Sequence, residues 1–331
     1  MFKGKNRGGG AFDAASGSGL AFLNAQLEYA DPNLVKPLTS MTHARDITVK
    51  FGGGFVEFLS AYASDYGTTG GNAVGLQGTS NTDIPLVQAN ISKGIWKAWN
   101  WASSVFVSYI DLDKLANAKK NGQPAPFSLP TLLEDAVQLV WNKAMETVTY
   151  LGWLGQPGLI NNPNVTSSLA PATGAGGLRT WASKTPVQIQ TDVNFGLTQT
   201  VTQGAYSLDS MADTMLIPWT EYQLLMQPMT TGGFSSVLEF LLANNIARQN
   251  GIDFKIFPLA NPWISGQGAG TTDRAVFYRN DEKTVMLRAP QPVIKRVNIP
   301  KETGWKTVYN GCIGQVQWLR TQPAYYLDAI G

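Results

Sequence analysis

The stretch from Leu129 to Gly158 constrains this chain most, because it is the longest segment with helical periodicity and it ends in a glycine-rich break. Leu132, Leu133, Ala136, Leu139, Val140, Lys143, Ala144 and Val148 recur at steps of three and four. That spacing predicts an apolar stripe along a helix of about six turns, roughly 30 Å long at about 1.5 Å per residue. Ser128 is placed to cap the first turn, Pro130 sits where its missing N–H does no harm, and Glu134 and Asp135 favour the positive helix end. Gly152, Gly155 and Gly158 stop the helix. The chain before it reads as loosely folded or extended, and the chain after it as mixed strands and short helices, an α+β pattern.

A chain of 331 residues is long enough for one large core or two modest ones. Only 15% of the residues are charged while 44% are hydrophobic. A charged fraction below the usual ~25% fits a surface largely covered by other protein. The net charge of +2 gives no global electrostatic case for a nucleic-acid partner. One cysteine, Cys312, excludes an intrachain disulfide framework and any cysteine-based metal cluster. No apolar run reaches the ~18 residues of a membrane span, so no membrane partner is expected. The N-terminus carries no apolar signal core, which points to synthesis and use in the cytoplasm.

Residues 1 to about 50 read as an arm. Gly4, the triplet Gly8–Gly10, Gly17 and Gly19 disfavour compact structure, and Lys3, Lys5 and Arg7 make its tip basic. Leu20 to Tyr29 has the makings of a short helix, and Ile47 to Lys50 alternates like a strand. Phe55 to Tyr66 suits a helix or a strand pair equally badly. Gly67 to Ser80, which contains Gly71 and Asn72, reads as a long hairpin or a mobile loop. Ile91 to Ile110 is rich in aromatics (Trp96, Trp99, Trp101), and Val105 to Ile110 alternates as a strand does. Asp111 caps a predicted short helix from Leu112 to Lys120. Beyond the long helix, Asn161-Asn162-Pro163-Asn164 is a turn signal. Thr185 and Pro186 open a helix, Thr214 to Ile217 forms a strand ended by Pro218, and Phe234 to Asn245 reads as a helix capped by Ser235 or Ser236. Arg274 to Tyr278 and Thr284 to Leu287 read as a hairpin turning at Asn280-Asp281-Glu282. Val293 to Val297 and Tyr309 to Leu319 add strands.

Chemistry finds little material. Asp111 and Asp113, Glu134 and Asp135, and Asp281 and Glu282 have no histidine or cysteine partner for a metal site. The one histidine, His43, lies in the extended arm and reads as an incidental surface or interface residue. No Gly-x-Ser-x-Gly elbow occurs, and Gly67 to Ser80 lacks the lysine and the strand-to-helix frame of a phosphate loop. No catalytic, cofactor or metal residue emerges, so the chain does not read as an enzyme. Trp96, Trp99 and Trp101 cluster with only Lys93 and Lys97 interleaved, so core or interface packing is favoured over stacking on bases or sugars.

The order of these elements carries a resemblance. A glycine-rich arm is followed by a loop ending Asp83-Ile84-Pro85, a strand running into Tyr109-Ile110-Asp111-Leu112-Asp113-Lys114-Leu115, then the long helix and Gly155-Gln156-Pro157-Gly158-Leu159-Ile160-Asn161-Asn162-Pro163. Met215-Leu216-Ile217-Pro218 through Tyr222, Arg274-Ala275-Val276-Phe277-Tyr278, Val316-Gln317-Trp318-Leu319-Arg320 and Tyr326-Leu327-Asp328-Ala329-Ile330 continue it. This order resembles the major capsid proteins of tailed double-stranded DNA phages, the Hong Kong 97-type fold shared with encapsulin nanocompartments.

The resemblance implies an N-terminal arm at 1–50 and an extension loop within 51–92. It implies a peripheral domain at 93–183 around a spine helix at 129–151, an axial domain at 184–270, and return strands at 271–331. It implies a non-enzymatic subunit without cofactors that self-assembles as pentamers and hexamers of an icosahedral shell. Packaged DNA would be touched only weakly and without sequence preference, and scaffold, portal or decoration proteins are further partners of such shells. The assembly residues expected on this reading are Lys3, Lys5, Arg7, Gly71, Asn72, Trp96, Trp99, Trp101, Glu134, Asn161 and Pro163. Some relatives crosslink a loop lysine to an asparagine; Gly67 to Ser80 offers Asn72 but no lysine. Two alternatives remain at this level: an encapsulin-like compartment, and a carbohydrate-binding or tail-associated structural protein using its tryptophans.

Overall fold

The computed structural model describes residues 39–69, 86–120, 128–229 and 235–331. In chain order its elements are α1 (His43–Asp46), β1 (Val49–Phe51), β2 (Phe58–Thr69), β3 (Leu86–Ser108), α2 (Tyr109–Lys120), α3 (Leu129–Tyr150), β4 (Ser167–Leu169) and α4 (Pro186–Gln203). They continue with β5 (Thr214–Pro218), α5 (Trp219–Leu225), α6 (Val237–Ala243), α7 (Ile246–Gln249), β6 (Lys255–Leu259), α8 (Asn261–Ile264), β7 (Arg274–Tyr278) and β8 (Val285–Ala289). The last four are β9 (Gln291–Lys301), β10 (Gly304–Gly314), β11 (Val316–Trp318) and β12 (Ala324–Asp328). The fold is α+β, with three sheets ordered β1-β8-β11, β2-β3-β10-β9 and β4-β12-β7-β5-β6.

The chain forms two compact units. The smaller holds residues 104–136 and 297–307, and the larger residues 40–103, 137–296 and 308–331. Within the smaller unit, Tyr109 N–H bonds the Thr303 carbonyl at 2.9 Å, and the Tyr109 and Trp305 rings lie 5.5 Å apart. The larger unit is organised by the five-stranded sheet, which is buried on both faces. Leu216, Val276, Tyr278, Ala324 and Tyr326 enter one core, with Trp141, Met145 and Tyr150 of α3. Met215, Ile217, Phe277, Tyr325 and Leu327 enter the other, with Val193 and Leu197 of α4. Alternate side chains of one strand point to opposite faces, so a sheet covered on both sides needs unbroken apolar runs such as Met215-Leu216-Ile217. Close contact sets Gly196 inside α4, because a Cβ there would lie 2.5 Å from the Phe277 ring.

Several expectations hold. The long helix runs from Leu129 to Tyr150, and α4 begins with Pro186 behind a capping box in which Thr185 and Gln188 exchange hydrogen bonds. Ser236 caps α6, its hydroxyl accepting the Glu239 N–H at 3.1 Å. Others need correction. The line of α3 that its own chain buries is Val137, Trp141, Met145 and Val148. Of the predicted stripe only Val148 is fully buried; Leu132, Leu133, Leu139 and Ala144 are half-buried, and Ala136, Val140 and Lys143 are exposed. The aliphatic positions suggested one face, but the large Trp141 and Met145 set the other, with the Trp101 ring meeting Trp141 edge-on at 5.2 Å. Arg274–Tyr278 and the following strand do not pair as a hairpin: β7 lies inside the five-stranded sheet, whereas β8 sits between β1 and β11. The aromatic stretch is a single strand, β3, from Leu86 to Ser108, and α2 starts at Tyr109.

The rotation of α3 is testable in the isolated subunit by urea unfolding. Trp141→Ala should cost about 3–5 kcal/mol through the cavity it leaves. Val140→Ala, although inside the predicted stripe, should stay within about 0.5 kcal/mol of the parent.

Candidate functional site

Four features stand out as places where this chain is tied down or left unfinished. The first is the root of the N-terminal segment. Thr42 carbonyl caps α1 by accepting the Arg45 and Asp46 N–H groups at 3.0 and 3.1 Å. This short helix brings its Asp46 into a polar hub with Glu146 of α3. Glu146 Oε1 accepts from Thr42 N–H at 2.8 Å and from its hydroxyl at 3.1 Å. Asp46, fully buried, accepts the Tyr150 hydroxyl at 2.7 Å and the Arg45 guanidinium through two nitrogens at 2.5 and 3.0 Å. Arg45 also bonds the Pro258 carbonyl at 3.1 Å and stacks over Phe257, and the Tyr278 hydroxyl bonds the Asp46 carbonyl. Burial pushes the Tyr150 and Tyr278 hydroxyls up from the ordinary phenol range, and the Asp46 charge adds to this. Both therefore stay neutral donors. His43 is buried here rather than exposed as the sequence suggested; burial holds its pKa below 6.5 against the opposing pull of Glu146 and Asp46.

The second feature is a long two-stranded ribbon. β2 and β3 pair in register from Phe58↔Lys97 to Thr69↔Leu86. Directly opposed residues share a face, so Phe58, Tyr62, Tyr66, Ile91 and Ile95 line one side with Lys93 and Lys97. Ala61, Ala63, Gly94, Ser92, Asn90 and Gln88 line the other. The five apolar side chains are 59–77% exposed. Lys93 lies 5.9 Å from the Tyr62 ring centroid, its stem running along the apolar face.

The third is the turn after α3. Gly152 has φ +78°, and a Cβ there would collide with the Gln156 carbonyl at 1.9 Å. Asn161 closes the turn: its Oδ1 accepts the Gly158 N–H at 2.7 Å and its Nδ2 donates to the Leu151 carbonyl at 2.9 Å. The fourth is an aromatic cleft of about 400 Å³ lined by Trp99, Trp101, Ala144, Trp153 and Ile313.

The expected assembly residues do not converge on one place. Trp99 and Trp101 share the cleft, whereas Trp96 lies along the small-residue side of the ribbon over Gly94. Asn161 and Pro163 share the turn, and Glu134 is exposed near the start of α3. Lys3, Lys5, Arg7, Gly71 and Asn72 lie outside the described residues. The hub around Asp46, Glu146, Tyr150 and Tyr278 was missed by sequence reasoning; its signals are spread over 232 positions and meet only in the fold. Among the described residues, no group of three or more His, Cys, Asp or Glu side chains could hold a metal ion, and no helix is long and apolar enough to cross a membrane.

A long exposed ribbon, a long helix with apolar residues left outside its core, and a sheet with helices on both faces are the features a relative has to share. The capsid of Myoviridae phage XM1 superposes with a TM-score of 0.70 at 15% identity, covering 92% of this chain and 97% of that one. The structure of Microbacterium phage Oxtober96 gives 0.59 at 12% identity, covering 93% and 98%. The capsid of a native GTA particle gives 0.58 at 10% identity, covering 92% and 95%. No curated protein matches the sequence. Residues 71–330 match the family described as "Major capsid protein", and the chain belongs to that family. As a member of that family it is a structural subunit of a capsid shell.

Two outcomes test this geometry. Because the folded pKa of His43 is depressed, its contribution to stability is complete above about pH 6.5 and is lost as the pH falls below that value. Thermal melts of the His43→Gln subunit should therefore lose less stability on acidification from pH 7 than those of the parent. Asn161→Ala, which leaves a backbone donor and acceptor without their partner, should cost about 1–3 kcal/mol in urea unfolding.

Proposed function

We propose that this chain builds the icosahedral capsid of a tailed phage around double-stranded DNA, as pentamers and hexamers assembled in the host cytoplasm. Within that shell, α3 is the spine helix of a peripheral domain at 93–183, completed by return strands at 271–331. Residues 184–270 form the axial domain, residues 1–50 the N-terminal arm, and the β2–β3 ribbon the extension loop within 51–92. The observation that carries this reading is the ribbon. A two-stranded hairpin alone is marginal in water, and this one presents five large apolar side chains, interleaved with Ser60, Ser64, Lys93 and Lys97, on one face to solvent. A neighbouring subunit that covers this face removes both problems.

The remaining expected residues fit as contact surfaces. The cleft at Trp99 and Trp101, the turn at Asn161 and Pro163, and Glu134 on α3 offer exposed or half-exposed positions for neighbours, with Trp96 on the ribbon and Gly71 and Asn72 in its loop. Lys3, Lys5 and Arg7 form the basic tip that meets packaged DNA. The net charge of +2 keeps that contact weak and without sequence preference. Scaffold, portal and decoration proteins are the further partners this reading allows.

Negative-stain microscopy of the chain produced alone and from its native source tests the reading. Closed shells tens of nanometres across, filled with DNA in the native source, are expected. Compartments free of DNA and loaded with a cargo protein would favour the encapsulin-like alternative, and a monomer under all conditions would overturn the shell. Tyr62→Glu combined with Tyr66→Glu should leave the far-ultraviolet spectrum and monomer size unchanged while abolishing shells.

A further inference from the structure

The two ends of the five-stranded sheet match each other. β6 bonds only β5 on its inner side, and β4 bonds only β12, so each presents an open outer edge among the described residues. Lys255 N–H bonds the Asp213 carbonyl at 2.8 Å, which turns the backbone of Lys255 inward and that of Phe254 and Ile256 outward. Tyr326 N–H bonds the Thr166 carbonyl at 3.0 Å and Ala170 N–H bonds the Asp328 carbonyl at 2.8 Å, which leaves the groups of Ser167 and Leu169 pointing outward. Beside the β6 edge a groove of about 460 Å³ runs along Phe254 to Phe257, walled by Leu242 and Ala243 of α6.

Direction also matches. β4 is parallel to β12, β12 and β5 are each antiparallel to β7, and β6 is parallel to β5. The two edges therefore run the same way. A twofold contact of β6 with β6 would be antiparallel and would leave β4 unmatched, whereas a head-to-tail contact uses both edges and generates a ring where the rotation between copies closes.

Resting on the capsid reading above, we infer that β6 of one copy pairs in parallel with β4 of the next, so that the sheets of a capsomer join edge to edge around its axis. In this register Ser168 lies opposite Ile256. Ile256 N–H donates to the Ser167 carbonyl, Leu169 N–H donates to the Ile256 carbonyl, and Ser167 N–H donates to the Phe254 carbonyl. Parallel ladders place their bonds on alternate residues, and the outward groups of the two edges fall on those residues. The ladder stops there because Pro258 has no N–H and its carbonyl already accepts from Arg45. Leu169, 46% exposed in the subunit, comes beside the half-buried Phe257, and Ser167 faces Lys255. The fit commits the partner to a second copy of this chain and to a heterologous contact.

Two measurements on the full-length chain test it. Shells of the Ser167→Cys, Lys255→Cys double variant, oxidised and run without reductant, should give a covalent ladder ending at pentamer and hexamer. Each single variant should stay monomeric, because Cys312 is fully buried. Dimers from either single variant would indicate twofold pairing and overturn the inference. In the parent chain, the Ile256 and Leu169 amides should exchange hydrogen at least tenfold more slowly in shells than in free subunits. Intact shells with unchanged exchange at both amides would sink the edge pairing and leave the capsid reading standing. A parent chain that forms no shells would remove the reading itself, and the edge pairing with it.

Discussion

Met215 and Leu216 are neighbours on one strand, yet each is fully buried in a different core. That double burial is the constraint on which the larger unit depends. The inner strands of the five-stranded sheet, β5, β7 and β12, are covered on both faces and so run apolar through most of their length, and helices meet them from both directions. α3 supplies one cover through Trp141, Met145 and Tyr150, and α4 supplies the other through Val193 and Leu197. Gly196 follows from the same constraint, since the sheet approaches α4 too closely at Phe277 for any side chain. Some buried polar groups, such as the Gln317 amide, have no partner within the subunit, and others are paired. Lys184 and Asp192, neither exposed, form an ion pair at 2.5 Å with the Trp181 indole as a third partner. Removing one partner of such a pair strands a charge, so it fixes the entry to α4 more than it adds stability.

The same chain leaves apolar surface that its cores do not take. Val140 is half-exposed on a helix whose opposite side carries Trp141, and the ribbon holds Tyr62, Tyr66, Ile91 and Ile95 in water. A helix or strand apolar on more sides than the subunit covers is stable only when a second surface completes it. Low charge serves that arrangement, because few ionised groups have to be desolvated when such surfaces close. Shell formation then uses the same physics as folding, distributed between copies.

How much of this was legible depends on how local each signal is. Helix limits were readable because Thr185, Pro186 and Ser236 mark them chemically within a turn of the chain. The buried line of α3 was not, because Val140 and Trp141 are adjacent and both apolar; only the position of Trp101, from a different strand, decides which one faces inward. β7 and β8 looked like a hairpin because Asn280-Asp281-Glu282 is good turn chemistry. A turn fixes where the chain bends, however, and not which sheet the next strand joins. His43 looked incidental because its surroundings, Glu146 and Asp46, come from two different elements. The β2 side of the ribbon, Phe55 to Tyr66, suits a helix or a strand pair equally badly in the sequence, because the spacing of four between Phe58, Tyr62 and Tyr66 fits one face of a helix as well as one face of a strand.

The hub at Asp46 pins residues 42–46 to the larger unit. Tyr150 and Tyr278, whose hydroxyls stay protonated in this setting, clamp the backbone and carboxylate of one short helix onto α3 and β7. The preceding chain therefore starts from a fixed point on the subunit. A segment tethered in this way meets a neighbour in the same shell at an effective concentration set by its length, not by the concentration of free subunits. Weak contacts, each worth little alone, then add across copies without requiring a large preformed interface.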